Sequence, residues 1–211
     1  MNIATCFGLL MPGITGQGSA RGEGIIELPP PVTAGGMPLM QALQLRRSCR
    51  EFRPDPLPLQ VLSDLLWAAQ GVNRPDSGKR TAPTARDWRE IDIYLATAEG
   101  VDLYEPDRHG LRRILDRDIR ALTGTQDFPA TVPVDLIYVA DLSRMDTSDE
   151  HRLLYSATDT GFIAQNVYLF CASAGLATVV RGSVDRQALA AALKLSATQR
   201  VILAQSVGYR G

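Results

Sequence analysis

The stretch Arg46-Arg47-Ser48-Cys49-Arg50-Glu51-Phe52-Arg53 is the densest concentration of chemistry in the 211-residue chain. In an extended chain, side chains at alternate positions point to one side, so Arg46, Ser48 and Arg50 converge if a helix ends near Arg46. Two guanidiniums and a hydroxyl make a phosphate cradle, because Arg donates paired, charge-assisted hydrogen bonds to phosphate oxygens. The competing reading is a solvated basic helix end that complements the macrodipole. A second group, Pro83-Thr84-Ala85-Arg86-Asp87, lies in a polar stretch from Gly71 to Arg89, preceded by Asn73-Arg74-Pro75 and followed by Trp88. That stretch is longer than most connections, and such loops tend to carry function. Gln165-Asn166 interrupts an apolar helical pattern, where buried amides need partners that a cofactor edge, a backbone carbonyl or a strand edge each supplies. Gly175 to Gly182 and the closing Gly208-Tyr209-Arg210 complete the set.

Composition excludes several classes. Lys and Arg (22) nearly cancel Asp and Glu (23), so no strong field gathers a polyanion, and a nucleic-acid binder built on Arg46, Arg47, Arg50 and Arg53 is disfavoured. Cys6, Cys49 and Cys171 lie far apart, with only His109 and His151 beside them, so neither a zinc cage nor a disulfide framework is expected. No apolar run approaches the ~20 residues that span a bilayer, so no membrane partner is expected. Residues 3–14 are mostly apolar and Gly18-Ser19-Ala20 resembles a cleavage site, which suggests an export signal over residues 1–20. The lack of a preceding Lys or Arg, together with Pro12 and Gly13, points instead to a cytoplasmic tail; export and cytoplasm stand level.

Residues 1–36 are Gly- and Pro-rich and read as an extended or disordered lead-in, with the folded domain at 37–211. Pro38 opens a helix running to about Arg47, with Leu39, Met40 and Leu43 on one face. A second amphipathic helix follows Pro58 and stops at Gly71. Ile91 to Ala96 and Val101 to Tyr104 pair as a hairpin across Glu99-Gly100, and Leu111 to Leu122 reads as a charged helix. Val134 to Ala140 is a central strand. The longest helical pattern, Asp149 to Ala174, is apolar on nearly every side in its second half and is expected to be buried all round. Gly175 caps it, Leu176 to Val180 is a strand, Gln187 to Leu193 a short helix and Val201 to Val207 a last strand. The order is α+β rather than βαβ alternation.

Taken in this order, these motifs over Met37 to Gly211 resemble the nitroreductase family, whose marks are a helix ending in Arg-Arg-Ser-x-Arg-x-Phe, a Pro-Ser-x-x-Asn loop before a strand, a long helix with Gln-Asn ending in Gly-Leu, and a last strand closing in Gly-Tyr. The resemblance implies a three-layer sandwich, a central mainly antiparallel sheet flanked by helices, in a domain-exchanged homodimer. It implies FMN, with Arg46, Ser48 and Arg50 on the phosphate and ribityl chain, Arg47 beside them and Arg210 a further contact. Pro83, Thr84 and Ala85 would run beside the isoalloxazine from the partner subunit. Gln165 and the Val180, Arg181 and Gly182 backbone would lie near the rest of the ring. Asp87 stands where the family usually has Asn; an ionised carboxylate only accepts hydrogen bonds and opposes charge building on reduced flavin. Arg74, Arg86 and Trp88 are candidates for the substrate cavity. The implied activity is reduction of a small electrophile, such as a nitro compound or quinone, by NAD(P)H through flavin, with no catalytic side chain of the protein's own. Two alternatives are a relative that oxidises azolines or other natural products, and a flavin-binding module without turnover.

Overall fold

The computed structural model describes residues 24–211. The expected signal at residues 1–20 lies outside them. Nine strands and four helices run in the order β1 (Ile25–Glu27), α1 (Leu39–Leu45), α2 (Leu59–Gln70), β2 (Val72–Arg74), β3 (Lys79–Arg80), β4 (Ile91–Thr97), β5 (Gly100–Glu105), β6 (Gly110–Leu115), β7 (Val134–Asp141), α3 (Asp149–Ala174), β8 (Leu176–Arg181), α4 (Arg186–Leu193) and β9 (Gln199–Tyr209) among the described residues. Seven strands form one sheet in the order β1-β6-β5-β4-β7-β9-β8, with antiparallel pairing at every step.

Burial on both faces explains why β7 reads as an apolar run broken only by Asp135 before its closing Asp141. Its Leu136, Tyr138 and Ala140 join Ile91, Ile93 and Leu95 of β4 and Leu65, Leu66, Ile163 and Val167 of α2 and α3 in one core. Its Ile137 and Val139 face the other way, packing with Tyr94, Val201, Leu189 and Leu193 under α4. Both faces of the sheet are thus covered by helix, giving the expected three layers. Gly100 holds φ +145°, and a Cβ there would fall 2.1 Å from the Leu115 carbonyl oxygen, so this hairpin end admits only glycine. Gly175, with φ +72°, ends α3 in the left-handed conformation that the sequence predicts.

Four expectations need correction. The stretch Leu111 to Leu122, expected as a charged helix, is strand β6 followed by a single 3-10 turn at Arg120–Leu122. Its charges are cross-strand partners rather than a solvated helix face: Arg112 pairs with Glu105 at 2.6 Å and Arg113 with Asp102 at 3.1 Å. Helix α1 stops at Leu45, two residues early, and its Leu39, Met40 and Leu43 are exposed, leaving Ala42 as its buried residue. Helix α3 is buried along one side only, because Phe162 and Gln165 point away from the sheet. Finally, the chain before Met37 takes part in the fold. Strand β1 pairs with β6, the Pro29 carbonyl accepts from Ser63, and Val32 N–H donates to Asp64. A short apolar pair between Gly and Pro gives little periodicity from which to foresee this edge strand.

Candidate functional site

Arg46 turns out of α1 with ψ 123°, and the chain that follows is extended. Cys49 N–H bonds to Thr178 O of β8 at 2.9 Å, Arg53 N–H to Tyr209 O at 3.0 Å, and Phe52 faces Arg210 in an antiparallel bridge. Pinned in this way, residues alternate between two sides. On one side the Arg46 guanidinium stands 5.2 Å from the Tyr168 ring centroid and Ser48 Oγ lies 2.8 Å from the Tyr168 phenol oxygen. On the other, Leu45, Arg47 and Cys49 line a small cavity with Cys171, Thr178 and Arg210, which Tyr168 also borders. Arg50 follows at the exposed end. No acidic side chain pairs with Arg46, Arg47, Arg50 or Arg210 among the described residues. Arg46 beside the Ser48 hydroxyl, with Arg47, Arg50 and Arg210 on the same segment and the last strand adding positive potential that no carboxylate pairs, favours an anionic ligand.

Tyr168 is the residue that sequence reasoning missed. Its phenol oxygen also accepts Val180 N–H at 3.0 Å, tying α3 to β8 at the position where the sequence put the ring contact. Its place three residues after Gln165, on the same helix face, was the available signal. Gln165 is exposed, whereas Asn166 Nδ2 donates to Ala69 O at 3.3 Å, the backbone-carbonyl reading of that amide. The Arg181 side chain turns inward, away from the exposed Gly182, to a buried carboxylate, Asp135, which Thr123 and Ser206 also bond.

The Pro83–Asp87 segment is fastened from beneath. Thr84 Oγ1 donates to Glu90 Oε2 at 3.1 Å and accepts Arg89 N–H at 3.0 Å, and Ala85 N–H donates to Asp159 Oδ2 of α3 at 2.8 Å. Arg86 and Asp87 hold left-handed backbone, φ +49° and +58°. Asp87 is exposed and bridges to Arg89 at 2.8 Å, and that guanidinium holds its carboxyl below the ordinary carboxylate range. Arg86 stacks 5.4 Å from the Trp88 ring, which meets Tyr155 edge-on at 5.8 Å. Arg74 is separate from this pair: it bonds Asn73 and the Arg80 carbonyl, bracing the β2/β3 hairpin.

Helix α3 therefore carries both groups, Tyr168 holding the cationic strand and Asp159 the loop. Their separation of nine positions spans about 13 Å at the α-helical rise, with exposed Phe162 and Gln165 between. A cavity of about 370 Å³ between Val32–Gly36, Trp67, Phe170 and Tyr209 contains one charged group, Asp64, and does not suit an anion.

Residues 43–209 match the model of the family described as the nitroreductase family. A protein of Methanocaldococcus jannaschii named putative nitroreductase MJ1384 is 37% identical over 156 residues, 69% of this chain and 78% of the relative. The crystal structure of a putative nitroreductase from Ralstonia eutropha is 45% identical with a TM-score of 0.85, covering 89% of this chain and 90% of that one. NADPH:FMN oxidoreductase from Vibrio harveyi, complexed with NAD+, shares the fold alone, at 18% identity and a TM-score of 0.62 over 82% of this chain and 68% of that one. Since the family pattern runs through most of the folded chain, from α1 to the end of β9, this protein belongs to the nitroreductase family.

Proposed function

We propose that this chain is an FMN-dependent oxidoreductase which takes hydride from NAD(P)H and reduces a small electrophile, a nitro compound or quinone, as a homodimer. The observation that carries the reading is the meeting of Arg46 and Ser48 on Tyr168, with no acidic side chain paired to Arg46 among the described residues. A phosphate monoester suits such donors: guanidinium forks and a hydroxyl satisfy several of its oxygens at once. Arg46, Ser48 and Arg50 hold the phosphate end, with Arg47 and Arg210 adding positive potential. Pro83, Thr84, Ala85 and Asp87, with Gln165 and the Val180, Arg181 and Gly182 backbone, border the ring. Arg86 and Trp88, with Arg74 further off, shape the acceptor's cavity.

When bound, FMN supplies hydride acceptance and transfer at its N5, so the protein's tasks are binding, orientation and tuning. Donor and acceptor occupy the same cavity in turn, which gives ping-pong kinetics. A second copy of the chain covers the apolar residues left open on α1 and α3, among them Met40 at 75% and Phe162 at 43% exposure. Arg46→Ala and Ser48→Ala test the reading. Each removes a charge-assisted bond worth about 1.5–3 kcal/mol, so FMN should bind roughly ten- to a hundredfold more weakly while circular dichroism stays unchanged. Full FMN content in both variants would overturn the assignment.

A further inference from the structure

The carboxyl groups of Glu90 and Asp159 line one small cavity beneath the Pro83–Asp87 segment and are bonded from its consecutive residues Thr84 and Ala85, and nothing in the mechanism above uses them. Glu90 is fully buried and Asp159 is 3% exposed. Thr84 donates to Glu90 Oε2 and Ala85 N–H to Asp159 Oδ2, while Glu90 Oε1 finds no donor among the described residues. Neither cation of this cavity is paired with the two carboxyls. Arg89 is paired with Asp87; Arg80 lines the same small cavity with its Nε unpartnered, and no ion pair joins it to either carboxyl. From α2 the cavity receives only the uncharged Gln70, and from the end of β7 Asp141 N–H bonds the Glu90 backbone while its carboxylate faces Arg144. Two buried carboxylates that share one small cavity, neither of them paired to a cation, do not both ionise, because their repulsion is poorly screened.

We propose that Glu90 and Asp159 share one proton, which fills the open Oε1 position, and that this acid–carboxylate pair is the positioning device that keeps the Pro83–Asp87 segment in its strained shape. Arg86 and Asp87 lie in left-handed backbone that L-residues adopt only when their surroundings over-determine it. The bonds from Thr84 and Ala85 supply that constraint. Loss of the shared proton puts two negative charges together and loosens the segment. Burial and the neighbouring Asp159 push the Glu90 carboxyl from 4.5 to about 7, so the change falls in the physiological range. The sign follows: the folded state holds a proton that the unfolded state has released above its own pKa. The stabilisation is therefore complete at low pH and lost as pH rises through the folded value. The consequence for flavin rests on the functional reading above; the shared proton does not.

The test uses Trp88, whose N–H bonds Ala85 O at 3.0 Å, as a reporter on the segment. In a Trp67→Phe background it is the sole tryptophan. Its emission should shift with a midpoint near the Glu90 value of about 7. In Glu90→Gln, a neutral isostere that keeps a donor on Asp159, the transition should vanish with the low-pH spectrum retained at every pH. Asp159→Asn should do the same if Glu90→Gln folds poorly. Half-buried His109, whose imidazole is held below its ordinary value by desolvation, adds a stability slope of opposite sign, so melting curves are read as the difference between parent and Glu90→Gln. An unchanged transition in both variants overturns the proposal. FMN affinity should weaken across the same interval in the parent alone. Failure to bind FMN at any pH counts against the proposed function, and the Trp88 titration then decides the shared proton by itself.

Discussion

Ser48 Oγ lies 2.8 Å from the phenol oxygen of Tyr168, and that oxygen accepts Val180 N–H at 3.0 Å. The phenol keeps its own proton while its oxygen accepts from Val180, and donating that proton to Ser48 leaves the serine proton for an anion. One side chain on α3 thus orients the hydroxyl of the strand leaving α1 and satisfies the backbone of β8. Tyr168→Phe should cost about 1–3 kcal/mol of stability, because Val180 N–H loses its partner, and should weaken FMN about tenfold through a disoriented Ser48. Thermal melts and flavin fluorescence quenching check the two effects separately.

The buried ion pair of Arg181 with Asp135 belongs to the frame rather than to the site. Asp135 is fully buried and takes bonds from Arg181, Thr123 and Ser206. Asp135→Ala leaves the guanidinium buried and uncompensated, so urea unfolding should show a loss of about 3–5 kcal/mol. Flavin per folded molecule should not change, and a selective loss of flavin would return Arg181 to the site.

Asp87→Asn separates stability from cofactor tuning. The exposed bridge to Arg89 contributes only about 0–1 kcal/mol, and Asn tolerates left-handed backbone, so melting should hardly move. Removing a negative charge should tighten FMN and raise its potential. If calorimetry and redox titration find neither change, this side chain lies off the ring.

The open apolar faces of α1 and α3 predict a dimer. Leu43 and Phe162 are each 43% exposed. Leu43→Glu with Phe162→Glu should halve the mass seen by light scattering and release FMN, as a site shared between copies, proposed above, requires. A parent protein that is monomeric with full flavin content contradicts this.

The strongest periodic signals were legible. Helix α3 runs from Asp149 to Ala174 as the pattern requires, β7 is central, and Gly175 caps where expected. The reading failed where charge carries no period of its own. Arg112 and Arg113 look alike on a helix and in a strand, and only their partners Glu105 and Asp102 decide between them. It failed also where burial depends on a neighbour: apolar residues of α1 and α3 read as core although a single chain leaves them open. In the candidate site, Arg46 and Ser48 were legible from alternation, but Tyr168 and the Glu90–Asp159 pair were not. Their meaning comes from contacts 120 residues apart for Ser48 and Tyr168, and 74 apart for Ala85 and Asp159.

Anaerobic titration of the FMN-loaded protein with NADH and with NADPH tests the central claim most directly. The account predicts that the flavin absorbance bleaches fully with one equivalent of at least one nucleotide and returns when a quinone or nitroaromatic is added. Flavin that stays bound and oxidised with excess of both nucleotides would contradict it.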